Sequence, residues 1–116
     1  MSYNRGKNMI LTLVPSASRG ATFNSDGSGI FGNFDELFLF LDVTVVASTG
    51  TIQVNYQVSF DKGATWQTHT AMTISAGVSQ RSVKVTGCCS YGRVNCVYAG
   101  AGNVTFAVYA DLKKVG

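Results

Sequence analysis

The stretch "TIQVNYQVSF", residues 51–60, alternates without a break. Ile52, Val54, Tyr56, Val58 and Phe60 fall on one side, and Gln53, Asn55, Gln57 and Ser59 on the other. Successive side chains of a β-strand point to opposite faces, so this is a strand with one dry and one wet side. Period-2 spacing recurs outward from it in both directions. "NVTFAVYADL" (103–112) directs Val104, Phe106, Val108 and Ala110 inward, and "RSVKVT" (81–86) offers Val83 and Val85. "YGRVNCVYA" (91–99) offers Val94, Cys96 and Tyr98; "MILTLV" (9–14) supplies Leu11 and Leu13; "HTAMTIS" (69–75) supplies Met72 and Ile74.

One segment breaks the rule. "FDELFLFLDVTVVAS" (34–48) is apolar on both faces, with Leu37, Leu39, Leu41, Val43 and Val45 on one and Phe34, Phe38, Phe40 and Val46 on the other. Its β-branched and aromatic content favours a strand over an amphipathic helix. Turn signals separate the segments: "NSDGSGIFGN", "ASTGT", "FDKGAT", "SAGVSQ", "TGCCSYG" and "AGAGN". Seven or eight short strands at roughly 10–15-residue spacing predict an all-β, antiparallel β-sandwich, of jelly-roll or immunoglobulin-like type. At 116 residues the chain holds one domain with a modest core. Residues 1–8, "MSYNRGKN", read as a polar, basic N-terminal arm, and 9–116 as the sandwich with a long Ser/Gly-rich loop at 15–33. The apolar piece after the two N-terminal basic residues is too short for a secretory h-region and reads as the first strand.

Composition narrows the function. Charged residues are 13% of the chain against a usual share of about a quarter. A small domain has much surface for its volume, so so little charge implies that part of that surface meets partners. The net charge of +3 comes from dispersed basic residues with no dense stripe, which argues against nucleic-acid binding. No apolar run reaches the ~18 residues of a helical membrane span. His69 is the sole histidine, and no acid or nucleophile neighbours it in sequence. Cys88 and Cys89 are adjacent, not at zinc-ligand spacing. The carboxylates Asp26, Asp35, Glu36, Asp42, Asp61 and Asp111 are too dispersed for a glycosidase pair. The glycine-rich "GSGIFG" and "GAGN" lack the strand-to-helix context of a phosphate loop. The expectation is therefore no enzyme, no catalytic residue, no metal and no cofactor.

The octet "SFDKGATW" (59–66) matches S-x-D-x-G-x-T-W and resembles the Asp-box hairpin of sialidase propellers. A propeller needs at least four blades of four strands, which this chain cannot supply. The octet is instead expected as a structural turn: Ser59, Asp61, Gly63, Thr65 and Trp66, with Asp61 accepting backbone N–H groups, Gly63 allowing positive φ and Trp66 packing beneath the turn. The two-faced strand followed by "STGTIQVNYQVSFDKGATWQTH" (48–69) resembles small β-sandwich virion proteins of tailed bacteriophages, over about 36–75. That resemblance implies a non-enzymatic capsid decoration (cement) protein or minor structural protein. It would be located in the virion and dock on the major capsid protein or another virion protein. A carbohydrate-binding domain of a tail, using Trp66, Tyr91 and Tyr98, or a tail or neck assembly protein, stands as the alternative.

Two surface features follow. If Leu37, Leu39 and Leu41 face the core, Phe38 and Phe40 face outward, marking a candidate interface and a homo-oligomer or docked subunit. The competing arrangement covers them with Phe23, Ile30 and Phe31 from the 15–33 loop. Three cysteines leave an odd thiol: Cys96 points inward, and Cys88 and Cys89 are the candidates for an intersubunit disulfide.

Overall fold

The computed structural model describes residues 8–72, 75–86 and 91–114. Among them nine strands run in chain order: β1 (Asn8–Arg19), β2 (Phe23–Asn24), β3 (Glu36–Val46), β4 (Thr51–Val58), β5 (Gln67–Ala71), β6 (Ser75–Ala76), β7 (Ser79–Thr86), β8 (Gly92–Ala99) and β9 (Val104–Lys113). A 3₁₀ turn occupies Gly29–Asn33, its first N–H groups served by the Ser28 hydroxyl, which accepts from Ile30 N at 3.1 Å.

The strands form two antiparallel sheets in the orders β1-β9-β3-β7 and β2-β8-β4-β5, with β6 continuing the β5 edge of β4. Along the chain β1 pairs with β9, β2 with β8, β3 with β7, and β4 with β5 and β6, while β3–β9 and β4–β8 join these pairs into the two sheets. The chain is thus one long antiparallel ribbon, folded back at the β4–β5 turn and rolled so that successive pairs fall alternately in the two sheets. This is the jelly-roll wind, which decides between the two sandwich types left open by periodicity.

Between the sheets lie Leu37, Leu39, Leu41 and Val43 of β3, Ile52, Val54, Tyr56 and Val58 of β4, and Phe106, Val108, Ala110 and Leu112 of β9. Phe31 enters this core from the 3₁₀ turn and meets the Tyr56 ring edge-on at 5.5 Å.

Several sequence expectations need correction. The loop expected over 15–33 is much shorter, because β1 runs through Pro15 to Arg19 and β2 and the 3₁₀ turn occupy part of the remainder. β1 is an edge strand, where Pro and polar residues are tolerated because only one side of the ladder must be paired. Its register shifts between Thr12 and Val14 and again before Ala17. The first bulge brings Val14 to 2% exposure while Leu11 and Leu13 stay half-buried. Arg19 holds the irregular stretch: it donates to Pro15 O (2.7 Å), Ala17 O (3.3 Å) and Phe106 O (3.1 Å), with its guanidinium 5.1 Å from the Phe23 and Phe106 ring centroids. A bulge between Val43 and Val45 also exchanges the faces at the end of β3, so Val45 is exposed and Val46 packs on the core. Phe60 is 75% exposed, since β4 ends at Val58. Residues 1–7 of the expected arm lie outside the described residues, as do Ile74, Cys88 and Cys89, and Asn8 already pairs with Lys113.

Candidate functional site

The outer face of the β1-β9-β3-β7 sheet carries two aligned cross-strand rows. Ile10, Asp111, Phe38 and Lys84 form one; Thr12, Tyr109, Phe40 and Ser82 form the next. Phe40 is 41% exposed and Ile10 72% exposed, while Phe38 is half-buried under the Lys113 ammonium, 5.7 Å from its ring centroid. Phe23, Ile30 and Phe31 do not cover these rings: Phe31 is in the core, Phe23 faces Phe106 at 6.1 Å, and Ile30 packs on the core. Ion pairs are interleaved with these apolar side chains, Lys84–Glu36 at 3.5 Å and Lys113–Asp111 at 3.7 Å. Next to Phe40 and Tyr109 lies a depression of about 430 Å³ that reaches Asp42, Gln80, Arg81 and Ser82.

Sequence reasoning singled out Phe38 and Phe40 but missed Ile10 and Tyr109. The alternation of 103–112 already implied that Tyr109 points outward. Its place beside Phe40 follows only from the pairing of β9 with β3, which joins strands distant in sequence.

The opposite outer face is polar. Asn24, Asn95 and Asn55 stand in one cross-strand line, with Asn95 Nδ2 donating to Asn24 Oδ1 (2.8 Å) and Asn55 Nδ2 to Asn95 Oδ1 (3.1 Å). Beside them Arg93 Nε donates to Gln57 Oε1 at 2.8 Å. Asn is poorly suited to strands, and here its amides bond to one another across the ladder.

The β4–β5 turn closes on Ser59 and Asp61. The Ser59 hydroxyl donates to Asp61 Oδ1 (2.7 Å) and accepts from Gly63 N (2.7 Å) and Asp61 N (3.3 Å). Asp61 Oδ1 also accepts from Thr65 N (2.9 Å), and Oδ2 from Thr65 Oγ1 (2.7 Å). These donors, the Thr65 hydroxyl first, hold the Asp61 carboxyl down at about 2. Gly63 has φ +98°, and Lys62 before it is also left-handed at φ +59°. Trp66 lies half-buried against the turn. Its Nε1 donates to Gly63 O (3.1 Å), the Arg93 guanidinium stands 4.3 Å from its ring centroid, and Tyr91 lies 5.8 Å away. Gly27 closes against the same two rings, where a Cβ would come within 2.9 Å of the indole. Trp66 and Tyr91 are therefore engaged by the protein, and Tyr98 is distant from them in the fold, its hydroxyl donating to Gly102 O (2.6 Å). The three aromatics do not form one sugar platform.

His69 sits at a bulge of β5, exposed, with Nδ1 2.8 Å from Thr70 Oγ1 and its ring edge-on to Tyr56 at 6.0 Å. Cys96 is fully buried, and burial pushes its thiol up to about 12.

No family model and no curated protein matches the sequence. Solved structures match by fold. A chain of the Bacillus endospore appendages, which form disulfide-linked pili, aligns with TM-score 0.63 and 12% identity over 100% of this chain and 96% of that one. The SPBc2 prophage-derived protein YomS aligns with TM-score 0.63 and 11% identity over 98% and 99%. A chain of infectious bursal disease virus, Gx strain, aligns with TM-score 0.50 and 12% identity over 97% of this chain and 33% of that one. At such identities the likeness is one of fold: an antiparallel β-sandwich shared with proteins of prophage, pilus and virus origin.

Proposed function

We propose that the chain is a structural protein of a tailed-phage virion, a capsid decoration protein that docks on the major capsid protein through the outer face of the β1-β9-β3-β7 sheet. The observation that carries this reading is the outward cluster of Phe38, Phe40 and Tyr109 on two adjacent rows, with Phe40 41% exposed and Ile10 at its margin. Burying one phenylalanine contributes about 1.5–3 kcal/mol, so a face of this kind gives modest affinity at one site and large stabilisation when repeated over a lattice. The ion pairs interleaved with these side chains supply orientation without a large net field. Fold likeness to a prophage protein, a pilus chain and a virus chain supports a role in assemblies.

The test combines Phe38→Ser with Phe40→Ser. Both side chains face outward, so the variant is expected to stay folded by circular dichroism while losing occupancy on purified phage heads, read by co-sedimentation and cryo-EM. A folded double variant that occupies the particle as the wild type does would refute the docking face.

A further inference from the structure

Gly27 sits where only glycine fits. A Cβ there would lie 2.8 Å from Tyr91 Cε2 and 2.9 Å from Trp66 Cζ2 and Cη2, so the main chain itself packs against both rings. The residue before it, Asp26, is exposed. Among the described residues its carboxylate has no hydrogen-bond or ion-pair partner, and its one contact is through the carbonyl oxygen, which accepts from Ser25 Oγ at 3.5 Å. The Gly27 N–H is likewise unpaired among these residues, although its neighbours are tied: Ser25 N donates to Val94 O (2.9 Å) and Ser28 N to Gly92 O (3.0 Å). Packing against Trp66 and Tyr91 thus places, after an untethered aspartate, the one residue whose nitrogen no side chain of its own shields. Asp-Gly occurs once in the chain and Asn-Gly not at all.

We infer that Asp26–Gly27 is a site of self-modification, where Asp26 isomerises to isoaspartate without an enzyme, and that the product loosens the seat of Trp66. The Gly27 nitrogen attacks Asp26 Cγ and forms the N–Cγ bond, while the amide proton and the carboxyl OH leave as one water. The succinimide then takes up one water. Opening at Cγ restores aspartate; opening at the main-chain carbonyl gives isoaspartate, in which the chain runs through Cβ and Cγ. Nothing but water is exchanged. Other positions are guarded. Asn24 and Asn33 precede N–H groups already bonded, Ser25 N to Val94 O and Phe34 N to Phe31 O (3.3 Å), and the Asp61 carboxylate is held by Ser59 and Thr65. Asp42 and Asp111 lie in strands paired on both sides. The isomer adds one main-chain atom between Ser25 and Ser28, and both of these are pinned to β8, Ser25 also through Oγ, which accepts from Val94 N at 3.0 Å. The surplus length lifts Gly27 from the two rings or parts Ser28 from Gly92. Ser28 also caps the 3₁₀ turn that carries Phe31 into the core, so parting this pair lowers stability. None of this depends on what the outer face of the other sheet binds.

The experiment ages the full-length protein in neutral buffer at physiological temperature beside Asp26→Glu. Glutamate keeps the charge at an exposed position, and its ring closure needs six members in place of five, which is slower. Isoaspartate is read by methylation with an isoaspartyl methyltransferase and located by peptide mass mapping. Trp66 is the sole tryptophan, so its emission reports the state of its seat. In the native chain isoaspartate is expected at residue 26 ahead of every other described Asp or Asn, with a red shift of Trp66 emission and a fall in Tm that grow in proportion to it. Asp26→Glu is expected to fold as the wild type does and to show none of these changes with age. Absence of isoaspartate at 26, or its earlier appearance at another described position, would overturn the inference. So would isoaspartate at 26 that leaves Trp66 emission and Tm unchanged, or an Asp26→Glu protein that ages in step with the native one.

Discussion

Gly92 occupies the most crowded point of the turn end of the sandwich. It is buried at the start of β8, and it exchanges hydrogen bonds with Ser28, Gly92 N to Ser28 O and Ser28 N to Gly92 O, both at 3.0 Å. A Cβ at this position would collide with the Tyr56 hydroxyl, stand 2.8 Å from Tyr56 Cζ and 3.0 Å from Phe31 Cδ2. Tyr56 and Phe31 are both fully buried, so neither ring can swing into solvent. Gly92→Ala is thus an overpacking substitution, for which about 1–3 kcal/mol is the expected cost. With an unfolding entropy near 2.1 cal/mol/K per residue, 116 residues convert each kcal/mol into about 4 °C, giving a fall in Tm of about 4–12 °C. The mechanism names its own rescue. Tyr56→Phe deletes the atom closest to the added methyl, so the double variant is expected to lose less stability than the two single variants summed. Because the contacts to Tyr56 Cζ and Phe31 remain, rescue is partial, with a coupling of about 0.5–3 kcal/mol. Urea unfolding of the four proteins measures it. Additive costs across the cycle, or a Gly92→Ala protein as stable as the wild type, would refute the packing argument.

Asp61 has a carboxyl held at about 2 against an ordinary 3.8. A depressed folded value contributes stability that is fully present above 3.8 and is lost as pH falls toward 2; the Tm gap between wild type and Asp61→Asn is therefore expected to close over that window, and a gap constant from pH 6 to pH 2 would show that the charge is irrelevant. Arg19→Met keeps the stem but deletes the hydrogen bonds to Pro15, Ala17 and Phe106 carbonyls, an expected loss of about 1–3 kcal/mol in chemical unfolding. Unchanged stability would mean that water replaces the guanidinium without cost. Burial of Cys96 predicts that its thiol resists alkylation in the folded protein at pH 8 and reacts once the chain is unfolded, as read by peptide mass mapping; rapid native labelling of the Cys96 peptide would contradict its burial.

The sandwich was legible where one strand's pattern is a property of that strand alone. Ile52, Val54, Tyr56 and Val58 alternate in sequence and are buried in the structure, because β4 is regular throughout and wet on one face. Bulges were not legible: whether Val45 or Val46 turns inward depends on how β3 meets β9, a relation that no local window contains. The polar run Pro15–Arg19 looked like loop for a related reason, since an edge strand with a wet outer face needs neither apolar alternation nor a complete set of N–H donors. Of the candidate docking face, the surplus of Phe38 and Phe40 was visible as a strand apolar on both sides. Ile10 and Tyr109 were not, because strand order places them, and periodicity does not encode strand order. The half-buried seat that Arg93 and Tyr91 give the Trp66 indole was not legible, because both residues are distant from it in sequence.

The rolled ribbon sets the order of synthesis against the order of assembly. β4 and β5 can zip as soon as the turn between them has left the ribosome, at little loop-closure cost. β1 emerges first of all, yet its partner is β9, the last of the nine strands, which must enter between β1 and β3. Val14 pairs with Val108, 94 residues later (108 − 14), a wait of roughly 5–20 s at ordinary elongation rates. Throughout it, Leu11, Leu13 and the apolar side of β3 have no finished sheet to join. The nascent chain therefore carries its stickiest surface longest, and the first sheet is completed only when the final strand slides into its middle.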